Sequence, residues 1–181
     1  MKHVEFEGSD YLPSDDGITH INTYSRGKTE LGRWLSNFAH EPILTPVGNF
    51  NTLEGLYHYL KITLSCRAAN VSIHPIVRED VEKLRYADGH RAKTLGRDIK
   101  VLVRRMGVRT IEEPTSEFNR LFTEAMEIKL RANPKRLAEL MDCLDDGMPL
   151  LHYYVTGKKV MYKPHFNWLG ERIHAALDRI R

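Results

Sequence analysis

The sequence predicts a helix-dominated α+β fold with a small irregular or antiparallel sheet, gathered into one domain. Three observations lead there. Apolar residues recur at helical spacing in several separate segments, most clearly over 117–132. The β-branched and aromatic runs are short and unevenly placed, too few for a doubly wound sheet. A chain of 181 residues is also long enough to bury one substantial core. The division expected is an N-terminal extension over 1–20 and a single domain over 21–181.

Residues 1–30 are polar and turn-rich, with "LPSDDG" as a surface turn. Extended pieces are expected at 18–24 and at 43–50, where Pro42, Pro46 and Gly48 rule out helix. Asn51 and Thr52 are good caps for a helix over 53–66, whose Leu53, Leu56, Tyr57, Leu60 and Leu64 form a stripe. After the looser "RAANVSIHP" comes a helix over 76–86. Leu95, Ile99, Leu102, Val103 and Met106 mark an amphipathic helix, with Arg97, Lys100 and Arg104 along its other side. The 117–132 helix, capped by Thr115 or Ser116, ends at Asn133-Pro134. Another follows over 137–144 until Asp146-Gly147 stops it. "LLHYYVTGKKVMYK" reads as a hairpin around Thr156-Gly157, and a final helix runs over 168–181.

Composition narrows the class. Charged residues make up 28% and the apolar set 41%, as in ordinary globular proteins. No run approaches the ~18 apolar residues of a membrane span. The N-terminus lacks the apolar segment of a secretory signal. Cys66 and Cys143 have no CxxC partner, so the expectation is two buried or half-buried thiols in a reducing cytoplasm. Net charge is +3, but residues 91–109 hold seven basic residues against one acidic residue, Asp98. Such a segment suits phosphate, in DNA or in a nucleotide, and is equally what a solvated helix face looks like.

Walker, GxGxxG, HExxH, GxSxG and kinase motifs are missing, which removes the usual support for those chemistries. His152 and His165 show no ligand spacing on one helix face, so no metal is expected. Two stretches remain. "GRWLSNF", residues 32–38, combines Arg33, Trp34, Ser36, Asn37 and Phe38 without regular periodicity. Rings with an amide suit a planar base or a sugar, and also suit a plain hydrophobic plug. In "NTLEGLYHYLK", residues 51–61, Glu54, Tyr57, His58 and Lys61 form a polar border along the apolar stripe. Glu54 and Lys61 point nearly the same way, ~10 Å apart along the axis. A first-turn glutamate and a snorkelling lysine would give the same pattern.

Taken in order, these segments resemble the NADAR (YbiA-like) family. The likeness begins with Ser36-Asn37-Phe38 and Pro42-Ile43. The family's "(T/S)xExxxQxxKF" helix follows, here Thr52, Glu54, His58, Lys61 and Ile62. "AKxLGR" is matched by Ala92 to Arg97. Met126, Lys129, Leu130, Asn133 and Pro134 fill a later helix, and Asn167, Leu169 and Gly170 an "NxLG" helix. The resemblance runs from about residue 21 to the C-terminus. Two positions depart: His58 replaces a glutamine, and the late "DxxWG" segment is not recognisable unless Trp168 supplies its tryptophan. No late catalytic aspartate is therefore carried over.

What the resemblance implies is hydrolysis of an N-glycosidic bond at an anomeric carbon, without cofactor or metal. The substrate it points to is ADP-ribose on guanine in nucleic acid, a toxin modification that the enzyme would reverse, including in phage conflict. The alternatives are phosphoribosylamino-pyrimidine intermediates of riboflavin synthesis, or a module that binds ADP-ribose or nucleic acid without cleaving it. Glu54 and Lys61 would be catalytic. Lys61 acts either as an amine nucleophile or as a charged phosphate anchor beside a water-activating Glu54. Trp34, Phe38 and Tyr57 would flank the base, with Ser36 and His58 beside them, and Asn37 would bond sugar or base. Arg33 and Arg97 would meet phosphate, and Asn167 and Trp168 would complete the substrate contacts.

Overall fold

The computed structural model describes residues 3–112, 114–157, 159–162 and 167–181. In chain order the elements begin with β1 (Val4–Phe6), β2 (Ser9–Tyr11), β3 (Ile21–Asn22) and α1 (Glu30–Leu35). Then come β4 (Ile43–Thr45), β5 (Gly48–Phe50), α2 (Leu53–Ala68), α3 (Pro75–Lys83), α4 (Gly89–Arg105) and α5 (Ser116–Ala132). The chain finishes with α6 (Pro134–Asp145), β6 (Leu150–Leu151), β7 (Tyr154–Thr156), β8 (Lys159–Met161) and α7 (Trp168–Ile180). The fold is helix-dominated α+β. Among the described residues every sheet has two strands: β1–β2, β4–β5 and β7–β8 are antiparallel, and β3–β6 is parallel.

Two compact units share the chain, Met1–Ser36 with Leu130–Arg181 and the continuous segment Asn37–Lys129. In the first, β1 pairs with β2, and Val4 packs with Leu151 and Tyr153. Val4, Phe6 and Tyr11 are thus part of a core. The interior here is unusually polar, and its hydrogen bonds are made internally. His20 Nε2 lies 2.8 Å from the Tyr153 hydroxyl, and the Asn22 side chain pairs with the Tyr153 backbone at 3.2 and 3.3 Å. Asp16 accepts the backbone N–H groups of Asn22 at 3.0 Å and Lys28 at 2.8 Å. Burying polar groups is tolerable only when they are satisfied in this way.

The second unit is built on α2. Thr52 caps it, its hydroxyl accepting from Gly55 N at 3.1 Å, and Leu53, Leu56, Leu60 and Leu64 are buried as their spacing predicts. Ile62 and Cys66, on another side of α2, pack against Ala92, Ile99 and Val103 of α4 and against Val77 and Val81 of α3. The helix is therefore enclosed on more than one face. Cys66 is buried, Cys143 half-buried, and both are free thiols.

Several boundaries differ from the sequence reading. Residues 30–35, read as irregular, form α1, because Thr29 accepts Gly32 N at 2.9 Å and closes the first turn. Six residues are too few to show a period. The basic helix starts earlier than its apolar stripe, at Gly89, where Asp88 accepts Arg91 N at 2.9 Å. β7 and β8 form the expected hairpin, whereas Leu150 and Leu151 leave it to pair with β3.

Candidate active site

Seven of the residues singled out by the sequence fall in the Asn37–Lys129 unit: Asn37, Phe38, Glu54, Tyr57, His58, Lys61 and Arg97. Glu54 sits in the first turn of α2 and is only 8% exposed. A carboxylate is rarely so dry without partners. Its backbone N–H donates to the Asn37 carbonyl at 2.9 Å, tying the helix start to the 37–38 loop. Its Oε1 lies 3.2 Å from His58 Nε2, one turn on. Among the described residues nothing donates to Oε2. The Asn37 side-chain oxygen is likewise buried with no donor among them. An acceptor left so is worth ~1–3 kcal/mol to any ligand that satisfies it.

Helix α4 shapes the histidine. A Cβ on Gly96 would fall within the His58 ring, so the glycine of "AKTLGR" gives the imidazole its seat. At the start of α4 a Cβ on Gly89 would collide with Phe38, whose ring meets His90 edge-on at 5.0 Å and carries Lys93 Nζ at 5.5 Å. Tyr57 packs edge-on against His58 at 5.3 Å and Phe118 at 5.4 Å. Burial, then the Glu54 charge, pushes its hydroxyl above the usual tyrosine range.

Lys61 is half-buried and weakly bound. Its Nζ reaches the Glu112 carbonyl at 3.3 Å and the Tyr57 hydroxyl at 3.5 Å. Burial, then the charge of Lys100, pulls this amine below the ordinary lysine value; Glu112 opposes the change and Arg104 adds to it. A nucleophilic amine needs burial or a cationic neighbour to lower its pKa, and Lys61 has both. Lys100 and Arg104 lie one and two turns past Arg97, and only the packing of α4 against α2 brings them to Lys61.

The other predicted residues belong to the first unit. Arg33 donates to the carbonyls of Gly27 at 2.9 Å and Lys28 at 2.7 Å, which fixes that loop. Trp34 and Ser36 are buried on and after α1. Asn167 donates to the Tyr162 hydroxyl at 2.6 Å while its own oxygen stays buried without a donor among the described residues. Trp168 opens α7. One residue without an expected chemical role is Lys129, 1% exposed in α5, where burial lowers the pKa of its amine to about 7. No trio of metal-ligating side chains occurs among the described residues. His152 is hydrogen-bonded to the Thr23 carbonyl and Tyr154 hydroxyl, and His165 lies outside the described residues.

Comparison with known protein families, with curated proteins and with solved structures finds no match.

Proposed function

We propose that this protein is an N-glycosidase that removes ADP-ribose from guanine in nucleic acid, reversing a toxin modification in the cytoplasm. The observation that carries the reading is the Glu54 constellation. A nearly buried carboxylate is clasped by His58 and by the Asn37 loop, with a charge-disfavoured lysine two turns along the same helix. Cleavage of an N-glycoside passes through an oxocarbenium-like state, which a dry carboxylate stabilises strongly. The ordered motif likeness to NADAR proteins points to the same chemistry. No helix among the described residues is long and apolar enough to cross a membrane.

The depressed Lys61 favours the amine route. Neutral Lys61 attacks the anomeric carbon as the bond to guanine breaks, and the proton shed by the lysine nitrogen goes to guanine. That nitrogen's lone pair then opens the ring, the ring oxygen takes a proton from water, and the sugar is held as an iminium. Water then hydrolyses the iminium, freeing ADP-ribose and restoring the amine. The base form of Lys61 is the reactive one, so turnover rises with pH through its pKa, which lies below the ordinary lysine value.

The test offers the protein DNA carrying ADP-ribosylated guanosine and, separately, a phosphoribosylamino-pyrimidine. Free ADP-ribose from the first is the expected product. Release of ribose phosphate from the second alone would select the riboflavin-type reaction, and binding without product from either would select a non-catalytic module. Borohydride added during turnover should trap an adduct that peptide mapping places on Lys61. An adduct on Lys129, or none under active conditions, would exclude Lys61 as the nucleophile and leave it as a phosphate anchor.

A further inference from the structure

Helix α4 distributes its charges in a way that burial alone does not require. At about 100° per residue, Lys93, Arg97, Lys100 and Arg104 lie within an arc of about 60°. Ala92, Gly96, Ile99 and Val103 form the buried face, centred roughly 100° away. The basic row therefore runs along one flank of the packed seam. Arg91 and Asp98 lie on the opposite flank, and Arg105 faces away from the seam.

Several cations elsewhere in the chain are matched to carboxylates. Lys83 meets Asp80 at 2.6 Å, Arg85 meets Glu82 at 2.5 Å, Arg120 meets Glu124 at 2.9 Å, and Arg136 meets Glu139 at 2.7 Å. Arg97, Lys100 and Arg104 have no carboxylate partner among the described residues, and Lys100 is half-buried. Like charges aligned in this way repel one another, and a polyanion laid along them relieves that repulsion.

The row also follows the candidate site. Lys93 stands over Phe38, Gly96 just before Arg97 seats His58, and Lys100 and Arg104 are the cations whose charge reaches Lys61. From Lys93 to Arg104 the helix rises about 16 Å. One strand of a duplex advances ~3.4 Å per nucleotide, so this length matches roughly five nucleotides and far exceeds a single diphosphate.

We infer that α4 is a track for one nucleic-acid strand, with Lys93, Arg97, Lys100 and Arg104 on its phosphates as it passes Glu54. The substrate is then a polymer, not a free nucleotide. This rests on the glycosidase reading for its purpose and not for its geometry, since the track binds unmodified strands. The test is fluorescence anisotropy with labelled, unmodified oligothymidine across a salt series. Two matched double variants are compared, Arg97→Ala with Arg104→Ala and Arg91→Ala with Arg105→Ala, each shown to be folded by circular dichroism. The first pair should weaken binding at least ten-fold and reduce the salt slope by about 1.4, at ~0.7 per lost phosphate contact. The second should change affinity less than three-fold. Equal losses from both pairs, or wild-type affinity no greater for the oligomer than for pyrophosphate, would overturn the track. Track-dependent binding without glycosidase activity would leave the track standing and sink the function alone.

Discussion

At the scale of single residues, the proposed chemistry turns on the Glu54–His58 contact. Glutamine at position 58 would offer an amide donor to the same carboxylate, one turn away on α2. Histidine offers a rigid ring, held between Tyr57 and the bare surface of Gly96. If the hydrogen bond to Oε1 is what matters, His58→Gln should keep turnover within about five-fold. His58→Ala should lose ~10²-fold or more, comparable to other lost catalytic donors. Steady-state rates between pH 5 and 9 check both. Equal, mild losses in the two variants would show that the ring only fills space. A Glu54→Gln control should be inactive while folded, because the charge that balances the oxocarbenium is gone.

At the scale of elements, Gly96 tests whether that geometry is built in. An exposed glycine inside a helix costs about 1 kcal/mol relative to alanine, so Gly96→Ala would ordinarily stabilise α4. Here the new methyl meets the His58 ring, and overpacking of that kind costs typically 1–3 kcal/mol. Urea unfolding should therefore show a net loss of stability, with activity falling as the imidazole is pushed off Glu54. A gain would mean that the ring swings away freely. The sequence pattern exposed such elements unevenly. Helix α2 was legible because its cap and stripe are local, written by Thr52, Leu53, Leu56 and Leu60. The same stripe hid the burial of Ile62 and Cys66, which depends on α3 and α4 arriving from later in the chain. Strand β3 was overestimated because only Ile21 and Asn22 find a partner, and that partner lies at Leu150 and Leu151. No local pattern encodes a parallel pairing across so long a crossover.

At the scale of the whole molecule, the candidate site was legible where it is carried by one helix edge and obscure where tertiary contact makes it. Glu54, His58 and Lys61 declared themselves by position, whereas the cations that flank Lys61 needed α4 to be placed. Lys129 was the hardest to read, since a lysine in a helical pattern looks like a solvated one. In the fold it is buried, its charged form is disfavoured, and Glu41 offsets the effect only in part. This carries a consequence for global stability. The folded-state pKa is about 7 and the unfolded value is near 10.4. Below about pH 7 both states hold the proton, and the folded chain bears the full penalty of a buried charge. Between about pH 7 and 10 the unfolded state binds more protons than the folded one, so this group makes stability rise with pH. Above that window both are neutral and its contribution is flat. Other lysines and tyrosines titrate there too, so the measurement is a difference. Urea unfolding of the wild type and of Lys129→Met, taken from pH 6 to 10, should show their stability gap shrinking steadily as pH rises. The methionine variant, which keeps the length of the side chain without the charge, should be the more stable at the acidic end. A gap that stays constant across the series would mean that the Lys129 amine keeps its proton in both states, held by charge compensation strong enough to cancel its burial.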